Sequence, residues 1–160
     1  MQVHFIPILL GFFGLGLKVM ISILIPFWAY HLGFSPLVVG LVVGADALLP
    51  AVLAVSIGGL CERLGPRLSL TISAFGLAAA GMIYPFLTLP ILLFLLQLSV
   101  GFFRTIAWIA AQVYCSMNED TDKRNRDLGY LSFGANLGAF AFPLLIGFLV
   151  GFQAYWIAFS

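Results

Sequence analysis

Charge is scarce in this chain. Asp, Glu, Lys and Arg make up 8% of its 160 residues, against roughly 25% in an ordinary soluble domain. Hydrophobic residues make up 62%, more apolar surface than a soluble fold of this length can hide in one core. Catalytic signatures are missing too. There is no H-E-x-x-H pair, no G-x-S-x-G elbow and no G-x-x-x-x-G-K-[ST] phosphate loop, so the chain does not read as an enzyme and implies no cofactor. No basic patch is large enough for nucleic acid. His4 and His31 have no ligand spacing between them, so neither signals a metal. Linkers and low-complexity tracts are lacking, which leaves residues 1–160 as one domain. The first apolar run has no basic n-region and is longer than a typical h-region, so it does not read as a signal peptide.

What the chain has is long apolar runs. Five full spans are expected, at about 5–28, 36–59, 68–86, 91–115 and 128–151. Each is near the ~20 residues that cross ~30 Å of hydrocarbon. Helices are the default, because open sheet edges are not tolerated in lipid. The fold class is therefore all-α, a polytopic transmembrane helix bundle. A further run starts at about Tyr155 and stops at Ser160, a truncated sixth helix by this reading. The connections alternate. Those at Tyr30–Ser35, Leu87–Leu89 and Gly151–Gln153 carry no Lys or Arg, whereas the other two hold Arg63 and Arg67, then Lys123, Arg124 and Arg126. The positive-inside rule puts the basic loops and the N-terminus in the cytoplasm of a multi-pass protein of the plasma or bacterial inner membrane. Cys61 and Cys115 then lie at the reducing face, where they read as space-filling residues and not as a disulfide. Asp120, Thr121 or Asp122 is placed to cap the fifth helix. Phe27, Trp28 and Tyr30, and again Tyr155 and Trp156, look like interfacial belts.

The most specific stretch is Gly58-Gly59-Leu60-Cys61-Glu62-Arg63-Leu64-Gly65-Pro66-Arg67, between the second and third runs. It resembles the loop signature of the major facilitator superfamily, G-x-L-x-[DE]-R-x-G-x-[RK], which lies between that family's second and third helices. His31-Leu32-Gly33-Phe34-Ser35-Pro36, followed by Gly40, is similar to the start of the family's second helix. The resemblance covers nearly the whole chain and implies the N-terminal half of a transporter, a partial six-helix domain. It further implies a missing C-terminal half or partner chain, with a solute site between the bundles near the midplane. It gives Gly58, Glu62, Arg63, Gly65 and Arg67 a conformational role; the simpler physical alternative is that Arg63 and Arg67 anchor the loop at anionic headgroups. Gly134, Gly138, Pro143 and Gly147 follow the spacing G-x3-G-x3-G-P-x2-G-G associated with antiporter branches, with Phe142 and Ile146 replacing two of its glycines. Where the family's fourth helix carries an Arg four residues before a Gly, this chain has Gln97 before Gly101. The proton-linked role of that Arg therefore does not carry over.

Three ionisable residues fall inside the spans: Lys18, Asp46 and Arg104. Each would cost about 2.5–3.5 kcal/mol at a helix centre on insertion scales. A rise of ~1.5 Å per residue puts them roughly 15–20 Å into their helices, so pairing or a wet cavity must compensate them. Gln97, Gly101, Arg104, Trp108 and Gln112 recur at helical spacing and make one polar face, expected to point into the bundle or toward water. Gly11, Gly14, Lys18 and Ser22 make a similar stripe on the first helix. The resemblance puts Lys18 and Arg104 together in the central cavity, where two cations would hold an anion. Asp46 has two readings, a structural partner of Lys18 or Arg104, or a protonatable carboxylate for coupling. Gly40, Gly44, Ala47, Ala51 and Ala54 form a small-residue face on the second helix for contact with a neighbour.

The expected function is that of a secondary transporter, or half of one, moving a small solute by alternating access, with an organic anion favoured and H+ or another ion available for coupling. Proton-coupled efflux of amphipathic compounds is the alternative within this class. A non-transporting membrane fragment or assembly partner is the alternative outside it. Candidate solute or coupling residues are Lys18, Asp46, Gln97, Arg104 and Trp108.

Overall fold

Proline stands at the start of three of the apolar runs, where its missing N–H costs nothing and its fixed φ suits a first helical residue. The computed structural model of the protein describes residues 5–117 and 119–158, with side chains except those of Pro85 and residues 149–158. Five helices follow one another: α1 (Phe5–His31), α2 (Pro36–Leu64), α3 (Pro66–Ile83), α4 (Pro90–Ser116) and α5 (Thr121–Ala158), with a short 3-10 turn at Tyr84–Phe86. No strand is present among the described residues. All five are long and apolar enough to span a membrane. The all-α expectation holds, and the protein is a multi-pass integral membrane protein.

The connections are tight for identifiable reasons. Gly33 and Gly65 both have positive φ, 77° and 79°, which lets α1 turn into α2 and α2 into α3 without the steric cost of a Cβ. Gly65 alone separates α2 from α3, and its carbonyl accepts from Ser69 Oγ at 2.9 Å. At the start of α5, Asp120 Oδ1 accepts from the Asp122 N–H at 3.0 Å, so of the three candidate caps Asp120 fills the role.

Packing is pairwise. α1 lies mainly against α5, while α2 and α3 both lie against α4. The α1–α5 contact is glycine-mediated in both directions: a Cβ at Gly11 would overlap the Leu131 carbonyl, one at Gly134 the Ile8 carbonyl, and one at Gly138 the Phe12 carbonyl. Phe142, at a position where the antiporter pattern has glycine, fills the space left by Gly16 and packs on Phe12 with ring centroids 5.4 Å apart. Ile25 of α1, Val42 of α2 and Leu93 of α4 form one buried cluster, and Ile57, Cys61, Ile106 and Ala110, between α2 and α4, form another nearer the Gly65 turn. Cys61 and Cys115 are buried and unbridged.

Three expectations need correction. α5 runs unbroken to Ala158 instead of turning at residues 151–153 and restarting near 155. That stretch contains no proline, and a helix is the cheapest way to satisfy its backbone donors in an apolar medium. Where the truncated sixth helix was expected to end, residues 159–160 lie outside the described residues, as does His4, and the side chains of Tyr155 and Trp156 do too. Trp28 is no simple belt residue, because it packs against the Ile25–Val42–Leu93 cluster, whereas Phe27 and Tyr30 are exposed. The small-residue face of α2 meets nothing within the described residues. Gly40, Gly44, Ala47, Ala51 and Ala54 are exposed, and α2 buries Val42, Ala45, Ile57 and Cys61. The small residue that brings α2 and α4 together is on α4.

Candidate functional site

That residue is Gly101. A Cβ there would overlap the carbonyl of Asp46, so the two backbones touch at this level. With no side chain between them, the groups one turn away come within bonding reach. Arg104, three residues on from Gly101, donates from Nη1 to Oδ2 of Asp46. The two side chains are 21% and 20% exposed, too dry for either charge to be sustained by water alone. Of the two partners open to Asp46, Arg104 is the one it bonds. Only one guanidinium nitrogen is used in that bond, so the remaining donors of the fork stay available for a second acceptor.

Polar residues continue along α4 in both directions. Gln97, one turn before Gly101, is 2% exposed, and its Oε1 has no hydrogen-bond partner among the described residues. Beyond Arg104, Trp108 is half-buried and Gln112 is exposed. The stripe thus passes from the bundle interior at Gln97 and Gly101 to open surface at Gln112. Lys18 on α1 is exposed and makes no hydrogen bond or ion pair among the described residues. Gly11 and Gly16 commit the neighbouring face of α1 to α5, and Gly14 meets nothing. Asp46 and Arg104 are therefore brought together, and Lys18 is bonded to neither.

Two further orphaned polar atoms were not foreseen. Trp28 Nε1 and Tyr84 Oη are buried without partners among the described residues, beside the cluster of Ile25, Val42 and Leu93. Tyr84 sits where α3 gives way to the 3-10 turn, and no periodic pattern in the sequence marks that position as interior.

In the loop motif, Glu62, Arg63 and Arg67 are exposed and form no ion pair among the described residues, while Gly65 makes the turn. Gly58 has open space where a Cβ would be, as has Gly147 in α5. Gly134 and Gly138 pack on α1, and Pro143 lies within the continuous α5. A family model described as the Major Facilitator Superfamily matches residues 8–160. No curated protein and no solved structure matches the chain.

Proposed function

From the premise that the chain belongs to the Major Facilitator Superfamily, and is therefore a membrane transporter, we propose that it forms the N-terminal half of a secondary transporter for a small organic anion. The N-terminus and the basic loops lie in the cytoplasm in this reading. The bond between Arg104 and Asp46 carries the proposal. It neutralises one of the two cations in the spans and leaves the Arg104 fork partly unused, with Lys18 as a second cation that is unpaired among the described residues. A carboxylate entering between the bundles would take the free donors of Arg104. Gln97 and Trp108 flank it on the same face of α4. The exposed small-residue face of α2, from Gly40 to Ala54, supports a second bundle or partner chain as the surface against which this half rocks.

Uptake of radiolabelled mono- and dicarboxylates by cells expressing the complete transporter tests this. Arg104→Gln should abolish uptake of the transported carboxylate while membrane insertion stays intact. Normal uptake by that variant overturns the proposal.

Asp46 favours one second reading, proton-coupled efflux of amphipathic compounds. A carboxylate shared with Arg104 could release its partner on protonation and so link a proton to the exchange of states. The glycines at 134 and 138 of the antiporter-like pattern, closely packed on α1, agree with it. In that case Asp46→Asn would abolish proton-driven transport and spare counterflow.

A further inference from the structure

A cavity lies away from the Asp46–Arg104 pair, at the end of the bundle that carries the basic loops. It measures about 880 Å³, and Arg67, Lys123 and Arg126 line it with Asp127 as the single lining carboxylate. Arg67 lies in the first turn of α3, and Lys123 and Arg126 lie in the first two turns of α5. α3 and α5 barely touch each other, since α3 packs mainly on α4 and α5 mainly on α1. Cations from two helices that do not otherwise pack thus line one gap. All three are exposed, so water and salt screen their mutual repulsion, and the gap keeps a net positive charge that an anion would neutralise. Lys123 also lies 3.7 Å from Asp120, but both are well exposed, and a surface pair of that kind holds little of the charge. Even with Asp120 counted beside Asp127, cations outnumber carboxylates.

Apolar side chains supply much of the rest of the wall. Ile6, Leu64 and Leu68 line the same cavity and are exposed to 40%, 40% and 49%. A free inorganic anion has no use for such a wall, whereas a headgroup joined to acyl chains satisfies both halves of it. We infer that this cavity holds the phosphate of an anionic phospholipid, bridging Arg67 of α3 to Lys123 and Arg126 of α5. The lipid would tie the two loop-bearing ends together and couple the loop motif to the start of α5. The inference is independent of the transported solute.

The test compares lipids of identical acyl chains, phosphatidylglycerol and phosphatidylcholine, added to the purified chain in detergent. Retained lipid is read by native mass spectrometry and stabilisation by thermal unfolding. Phosphatidylglycerol should be retained and should raise the melting temperature, with phosphatidylcholine at least tenfold weaker. The double variant Arg67→Gln/Arg126→Gln should lose at least tenfold of that retention. Arg63→Gln/Arg124→Gln, which removes equal charge outside the cavity, should keep it, as should Arg67→Lys/Arg126→Lys. Equal retention of both lipids overturns the inference, and this arm needs no variant. So does undiminished phosphatidylglycerol retention by the double glutamine variant when circular dichroism shows its helices intact. Inorganic phosphate or glycerol 3-phosphate stabilising the chain as well as the lipid does would overturn it too, by assigning the cavity to a free phosphate compound.

Discussion

An arginine within a membrane span must find an acceptor or water, and Arg104 finds Asp46 because Gly101 removes the side chain that would hold α2 and α4 apart. The energetic consequence is asymmetric. Removing one partner strands the other charge in a dry site, whereas removing both strands neither. Asp46→Asn is therefore expected to destabilise the bundle by on the order of 3 kcal/mol. The double variant Asp46→Asn/Arg104→Gln should be more stable than the sum of the single losses implies. Denaturant unfolding in mixed micelles measures the cycle, and strictly additive losses would show that the two groups do not stabilise each other. Gln97 poses the opposite case at the same scale. Its buried Oε1 lacks a partner among the described residues, a cost of about 1–3 kcal/mol in apolar surroundings.

At the scale of elements, α1 and α5 depend on absent side chains. Gly11 of α1 and Gly134 and Gly138 of α5 let backbone meet backbone, and in lipid such close van der Waals packing replaces the hydrophobic driving force available in water. Gly134→Val should therefore force the helices apart and destabilise the bundle by about 1–3 kcal/mol or more. Gly44→Val, on the open face of α2, should change stability by no more than about 0.5 kcal/mol. Unfolding of the two variants under the same conditions decides this, and equal losses would mean that α1 and α5 do not pack as described. The fifth-helix pattern, which follows antiporter-associated spacing with two of its glycines replaced, is locally a packing device at Gly134 and Gly138. Phe142 fits it because Gly16 opposite leaves room for the ring.

For the whole molecule, the placement of Lys and Arg supports the proposed orientation. Arg63 and Arg67 share one end of the bundle with Lys123, Arg124 and Arg126, which the positive-inside rule assigns to the cytoplasm. In a variant whose two native cysteines are replaced, Asn125→Cys should react with an impermeant maleimide only in inside-out vesicles, and Thr88→Cys only in right-side-out ones. The reverse pattern would invert the topology. Large exposed apolar residues such as Phe75, Phe86 and Phe148 are ordinary for a surface that meets lipid or another bundle.

The five spans, membrane residence and family were legible in the sequence because they rest on additive, local quantities: run length, apolar content and one glycine-rich turn. Residues 58–67 carried the family and the long apolar runs carried the rest. The break expected at 151–153 does not occur, since α5 continues to Ala158. The partner of Asp46 was not legible, since Lys18 and Arg104 were equally available on paper. That choice fell to the approach of two backbones at Gly101, a contact between residues far apart in the chain. The same holds for the face of α2 that packs. Its small residues promised contact, yet Val42, Ala45, Ile57 and Cys61 are the ones buried. A helix has several faces fit to pack, and only the simultaneous fit of its neighbours chooses among them.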